Sequence, residues 1–141
     1  MKKLAIILFV LPLFIQAQND YENATFITNT LRSFDVAQPV YNDSILNIEA
    51  KAWAEHLALK VSMGYSLYES NSKNYDIAIM KPDYATKNYY SEAVFAFLIL
   101  PDNPMRFRKK MVNQYAKAIG FGHAYVDDKV IVVFKFREVE D

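Results

Sequence analysis

The chain has 141 residues, 52% of them apolar and 23% charged, a composition that suits one globular domain and excludes long disordered tracts. Lys plus Arg equals Asp plus Glu at 16 each, so no basic excess points to nucleic acid. With no cysteine and only His56 and His123, disulfide frameworks, thiolate metal sites, cysteine nucleophiles and His-rich metal centres are all excluded.

The first 17 residues have the pattern of a secretory signal peptide. Lys2 and Lys3 form a basic start, Leu4 to Ile15 is an apolar run broken only by Pro12, and Ala17 is a small residue at a cleavage point. The run is shorter than the roughly 20 apolar residues that span a bilayer. Export to the periplasm or the exterior is therefore expected, leaving a single domain over residues 18–141 with no membrane span. Removal of Lys2 and Lys3 leaves 14 basic against 16 acidic side chains, a formal charge of −2. A domain of that size buries about two thirds of its unfolded surface and needs no covalent staple.

In the remaining chain, Asn19 or Asp20 is placed to cap a first helix bearing Ala24, Ile27, Leu31 and Phe34 on one face. After Pro39, Asp43 or Ser44 caps a second helix with the stripe Leu46, Ala50, Trp53, Leu57 and Val61, and Gly64 stops it. Asp76 to Met80 reads as a strand, Thr86 to Leu98 as a third helix. Asn103-Pro104 opens a fourth helix, with Phe107, Met111, Tyr115 and Ala118 inward and Gly120 as its stop. Phe121–Val126 and Val130–Phe136 form a hairpin around Asp127-Asp128. This order predicts an α+β fold, a small antiparallel sheet flanked by helices on both faces.

Several of these stretches together resemble one family. Asn29-x-x-Arg32, then Pro39, then Leu46-Asn47-x-Glu49-Ala50-x-x-Trp53-Ala54 is similar to the opening of the CAP superfamily, which includes the cysteine-rich secretory and plant pathogenesis-related proteins and many bacterial SCP-domain proteins. Met111-Val112, then Gly120-x-Gly122-x-Ala124 and the Val130–Phe136 strand, resemble its closing segment. The resemblance covers about residues 21–137 and implies a three-layer α-β-α sandwich.

It also implies a central cleft with two histidines and two acids, which in some members holds zinc or another divalent ion. Here the first histidine position is Tyr65, followed by Ser66, and the first acid is Asp76. The second histidine falls on Phe107, and the second acid falls near Ile99 to Pro101, with Asp102 one residue beyond. Three of the four polar positions are thus replaced. A divalent ion needs several donors at short range, so neither metal nor cofactor is expected.

The residues left in that pocket, Tyr65, Ser66, Asp76 and Phe107, make an apolar and phenolic cleft. An exported, non-enzymatic binding domain follows, its ligand lipid-like or a protein partner. The alternatives are a small hydrolase using Asp76 with Tyr65 or Ser66, and an interaction module at the cell envelope. For the last, Arg106, Lys109, Lys110 and Lys117 are expected on the fourth helix, as a solvated stripe or a contact with an anionic surface. His56 is expected at the boundary of the second helix. His123, on a strand with Phe121 and Tyr125, is expected as an edge side chain or a pH-sensitive contact.

Overall fold

The computed structural model describes residues 19–71, 77–82, 87–99 and 110–138. Helix α1 spans Asp20–Phe34 and α2 spans Ser44–Ser62, with the two-residue strand β1, Tyr41–Asn42, between them. A short helix α3, Leu67–Asn71, precedes strand β2, Ile77–Pro82. Helix α4 runs over Tyr89–Ile99, and strands β3, Ala116–Val126, and β4, Lys129–Glu138, close the chain as a hairpin. The fold is α+β, as expected. The sheet has the order β1-β3-β4-β2. Its three long strands are antiparallel, and β1 adds a parallel pair at Tyr41–Ala118 and Asn42–Ile119, so the sheet as a whole is mixed.

The ends of the elements follow from local chemistry. The Asn19 side chain accepts from the Tyr21 and Glu22 backbone N–H groups at 2.7 and 3.3 Å, so Asn19 caps α1. Asp20, the other candidate, caps a different helix: its carboxylate accepts from the Tyr90 and Ser91 N–H groups at the start of α4, at 2.8 and 3.2 Å, and from the Ser91 hydroxyl. Asp43 caps α2 through bonds from the Ile45 and Leu46 N–H groups.

Both long N-terminal helices end alike. Tyr65 N–H reaches Lys60 O at 3.1 Å around Gly64, and Ala37 N–H reaches Arg32 O at 3.0 Å around Val36. Gly64 has φ +95 and Val36 φ +58, so a β-branched residue occupies a left-handed position that glycine adopts freely.

The sheet carries two different cores. Val130, Val132 and Phe134 of β4 alternate with Ile131 and Val133, and all five are buried. The first set joins Ile119 and Phe121 of β3, Ile77 of β2, Ala24 and Leu31 of α1 and Tyr89, Tyr90 and Val94 of α4. The second joins Ala124 and Val126 to Ala50, Ala54, Leu57 and Ala58 of α2. Strand β4 is thus apolar on both faces because helices cover both.

Strand β1 and helix α3 were not expected, and β3 starts earlier than expected. Residues 116–120, read as the end of a fourth helix, belong to β3. Ala118 and Gly120 lie on the sheet face beneath α2, and Tyr115 is 70% exposed instead of packed. A Cβ on Gly120 would lie 2.3 Å from the Leu46 carbonyl carbon, and one on Gly122 2.1 Å from Lys51 N. These glycines exist for close helix–strand approach, and neither ends a helix. Lys117 accordingly sits on β3 beside the register shift between Ala116 and Ala118, on a different element from Lys110. Phe34, expected on the packed face of α1, is 67% exposed. Asp76, Phe107, Arg106, Lys109 and the N-terminal segment lie outside the described residues.

Candidate functional site

The residues that carry the family resemblance mostly hold the frame. Asn29 Nδ2 donates to Val40 O at 2.9 Å while Val40 N–H donates to Asn29 Oδ1 at 2.8 Å, pinning the chain between α1 and β1. Arg32 is fully buried. Its guanidinium donates to four carbonyls: Gln38 at 2.8 Å, Met111 and Asn113 at 2.9 Å each, and Ala116 at 3.4 Å. Burial lowers its pKa, but a guanidinium keeps its proton, and the carbonyl dipoles replace the water it has lost. Asn47 exchanges bonds with Asn42 at 2.9 Å and accepts from Phe121 N–H at 2.9 Å, so the start of α2 is bolted to β3.

Beyond Ile119, β1 no longer covers β3. On that side of the strand, against α2, a cleft of about 650 Å³ opens, within the usual size of a small-molecule site. Lys51, Glu55 and Leu59 line it from the helix, and His123, Tyr125 and Asp127 from the strand and its turn. Ala58, Ala124 and Val126 form an apolar floor.

His123 connects this cleft to an aromatic cluster on the α4 side of the sheet. Its ring lies 5.0 Å from Tyr89, 5.5 Å from Tyr90 and 5.3 Å from Tyr125, the last edge-on. Tyr90 stacks on both Tyr21 and Phe121, at 5.1 and 5.6 Å. Its hydroxyl is 2.6 Å from His123 Nδ1. Burial pushes the Tyr90 phenol well above its ordinary pKa, with Tyr21 and Asp20 adding to the shift. Tyr90 therefore keeps its proton, and its hydroxyl and His123 Nδ1 share one hydrogen bond. Nearby, Lys81 Nζ pairs with Glu92 at 2.5 Å, and Lys87 Nζ lies over the Tyr89 and Tyr125 rings at 5.7 and 5.8 Å.

The sequence-derived pocket residues take other places. Tyr65 is half exposed just beyond Gly64, with Lys60 Nζ 5.0 Å from its ring centre. The Ser66 hydroxyl accepts from Glu69 N–H at 3.1 Å and caps α3. Neither lines the cleft. His56 is exposed and stacks on Trp53 at 4.9 Å.

Among the described residues, no three His, Asp or Glu side chains come together as metal donors. The cleft lining combines the apolar Ala58, Leu59, Ala124 and Val126 with charges of both signs on Lys51, Glu55 and Asp127. The signal for His123 was present in the sequence as the alternation Phe121, His123, Tyr125. Its partner Tyr90, 33 positions away, had no such signal.

No protein-family model matches the chain, and no curated protein matches it.

Proposed function

We propose that this chain is an exported, non-enzymatic binding domain of the CAP type, and that its binding site is the cleft between α2 and the far end of β3. The observation that carries this reading is the apolar lining of Ala58, Leu59, Ala124 and Val126, with Lys51, Glu55 and Asp127 as its charged rim. Such a site suits an amphipathic, lipid-like molecule whose chain covers the floor and whose polar head meets the rim. Membership of the family is supported by the structural duties of Asn29, Arg32, Asn47, Gly120 and Gly122, which are motif positions that hold the skeleton. The pocket positions of the family are the ones this chain has replaced.

Among the described residues no helix is long and apolar enough to cross a membrane. Export therefore rests on the pattern of Lys2, Lys3 and the apolar run to Ile15.

A native mass spectrum of the protein, recovered gently from its export compartment, tests both parts. The expected mass begins at Gln18 and carries a lipid-sized adduct, and Ala58→Trp, which fills the floor, removes that adduct. A bare mass in the wild type, together with no displacement of a fluorescent fatty acid, overturns the binding reading. Retention of the first 17 residues overturns export.

A further inference from the structure

Helix α2 is apolar on two opposite faces. One is buried against the sheet through Leu46, Ala50, Ala54 and Leu57. On the other, Ile45, Ile48, Leu59 and Met63 are 61, 70, 59 and 61% exposed. Exposed Ala52 lies on the same line. These residues follow one another at 3, 4, 7 and 4 positions, a stripe down the 19-residue helix, about 28 Å long, to its C-cap Met63, interrupted between Ala52 and Leu59 by the exposed Glu55 and His56. An aligned apolar stripe of this kind on a water-facing surface marks a contact surface.

We infer that the stripe is a self-association surface, on which α2 packs antiparallel against α2 of a second copy of this chain. The flanking charges select this occupant and its direction. Lys51 and Glu55 stand one turn apart on the same flank. Among the described residues neither has an ion-pair partner within 4.0 Å; the pairs formed are Lys81–Glu92, Lys135–Glu49 and Arg137–Asp43.

In a two-fold antiparallel pair each flank meets its own reverse. With the axis passing level with Trp53, Lys51 faces Glu55 of the second copy, and the pairing occurs twice. The same register sets Ile48 beside Leu59 of the second copy and brings the two Ala52 residues together at the closest approach. In a parallel two-fold pair this flank would face the opposite flank of the second copy, and Lys51 would not meet Glu55. One helix face covers less than the roughly 800 Å² per partner of a standard interface, so the dimer dissociates at accessible concentrations.

Sedimentation velocity on the protein as recovered from export, from about 1 µM to about 1 mM, reads the monomer–dimer equilibrium in the range expected of a sub-standard interface. The wild type should shift to dimer with concentration. Ile48→Glu should remain monomeric throughout, with an unchanged far-ultraviolet circular dichroism melt; Ile48 does not line the cleft, so ligand capture should persist. Lys51→Glu should weaken the dimer about tenfold, and the exchange Lys51→Glu with Glu55→Lys should restore it to within about threefold. A wild type that is monomeric over the whole range overturns the inference. So does a dimer indifferent to Ile48→Glu, or a monomer that uses this stripe to sediment with lipid vesicles.

Discussion

The two faces of the sheet are packed by opposite means. Under α1 and α4 the core is made of large side chains, Phe121, Phe134, Tyr90, Leu31 and Met111, with one fully buried arginine among them. Under α2 the contact with β3 is made of small ones, Gly120, Gly122 and Ala124 on the strand against Ala50, Ala54 and Ala58 on the helix, while Leu57, Ile131 and Val133 fill the rest. Large side chains set a helix away from the sheet and fill the gap by interdigitation. Small ones let backbone approach backbone, so the fit depends on the absence of atoms. The second arrangement leaves little tolerance for substitution, yet it positions α2 tightly enough to wall the cleft beside His123.

The largest effect should come from filling the small-residue face. In Gly122→Val the new Cβ would fall 2.1 Å from Lys51 N, a backbone atom that has no rotamer to escape into. The variant should lose about 4 kcal/mol or more, or fail to fold, as read by urea denaturation. On the large-residue face, Arg32→Met strips four carbonyls of their donor while roughly preserving volume, and should cost about 3 kcal/mol in the same measurement. Where the two faces meet at the start of α2, Asn47→Leu orphans the Phe121 N–H and should cost about 2 kcal/mol.

The helix ends sharpen the contrast further. Val36→Gly places at the end of α1 the residue that already ends α2, and should stabilise by about 1 kcal/mol, visible as a raised Tm. The smallest effect concerns pH. Burial would raise the Asp43 carboxyl, but the N–H bonds from Leu46 and Ile45 and the pairing with Arg137 outweigh it and hold the carboxyl below its ordinary 3.8. The unfolded chain then takes up this proton first. The contribution of Asp43 is complete above the ordinary value and disappears as pH falls through the lowered one. Asp43→Asn should remove that portion of the acid dependence in denaturation curves recorded from neutral pH to below 3.8.

The candidate site was legible only in part. The amphipathic spacing of Leu46, Ala50, Trp53, Leu57 and Val61 located the buried side of α2, and the cleft wall is the flank beside it, through Lys51, Glu55 and Leu59. The other wall falls on the strand Phe121–Val126 and its turn, which the sequence showed; the earlier start of β3 at Ala116 was hidden because Ala118 and Gly120 continue a helical spacing through Met111, and small residues give period analysis almost nothing to distinguish helix from strand. Tyr65 and Ser66 were placed by alignment with a motif, and the structure uses Ser66 as a helix cap. Strand β1 was missed because two residues carry no periodicity; its pairing is set by Asn42 and Asp43 reaching β3.

What the sequence determined by itself was local: a cap at Asn19 or Asp20 and another at Asp43 or Ser44, the stop at Gly64, the Asp127-Asp128 hairpin, the buried stripe of α2, and from the order of the elements an α+β fold. Each of these is decided within a few residues, by backbone geometry and side-chain period. Tertiary structure alone decided that Gly120 and Gly122 are points of contact with α2, that Arg32 is satisfied by carbonyls as many as 84 positions away, and that Tyr90 meets His123 beside a cleft. Those outcomes depend on which distant backbone arrives next to a given side chain, and no local pattern of residues encodes that distance.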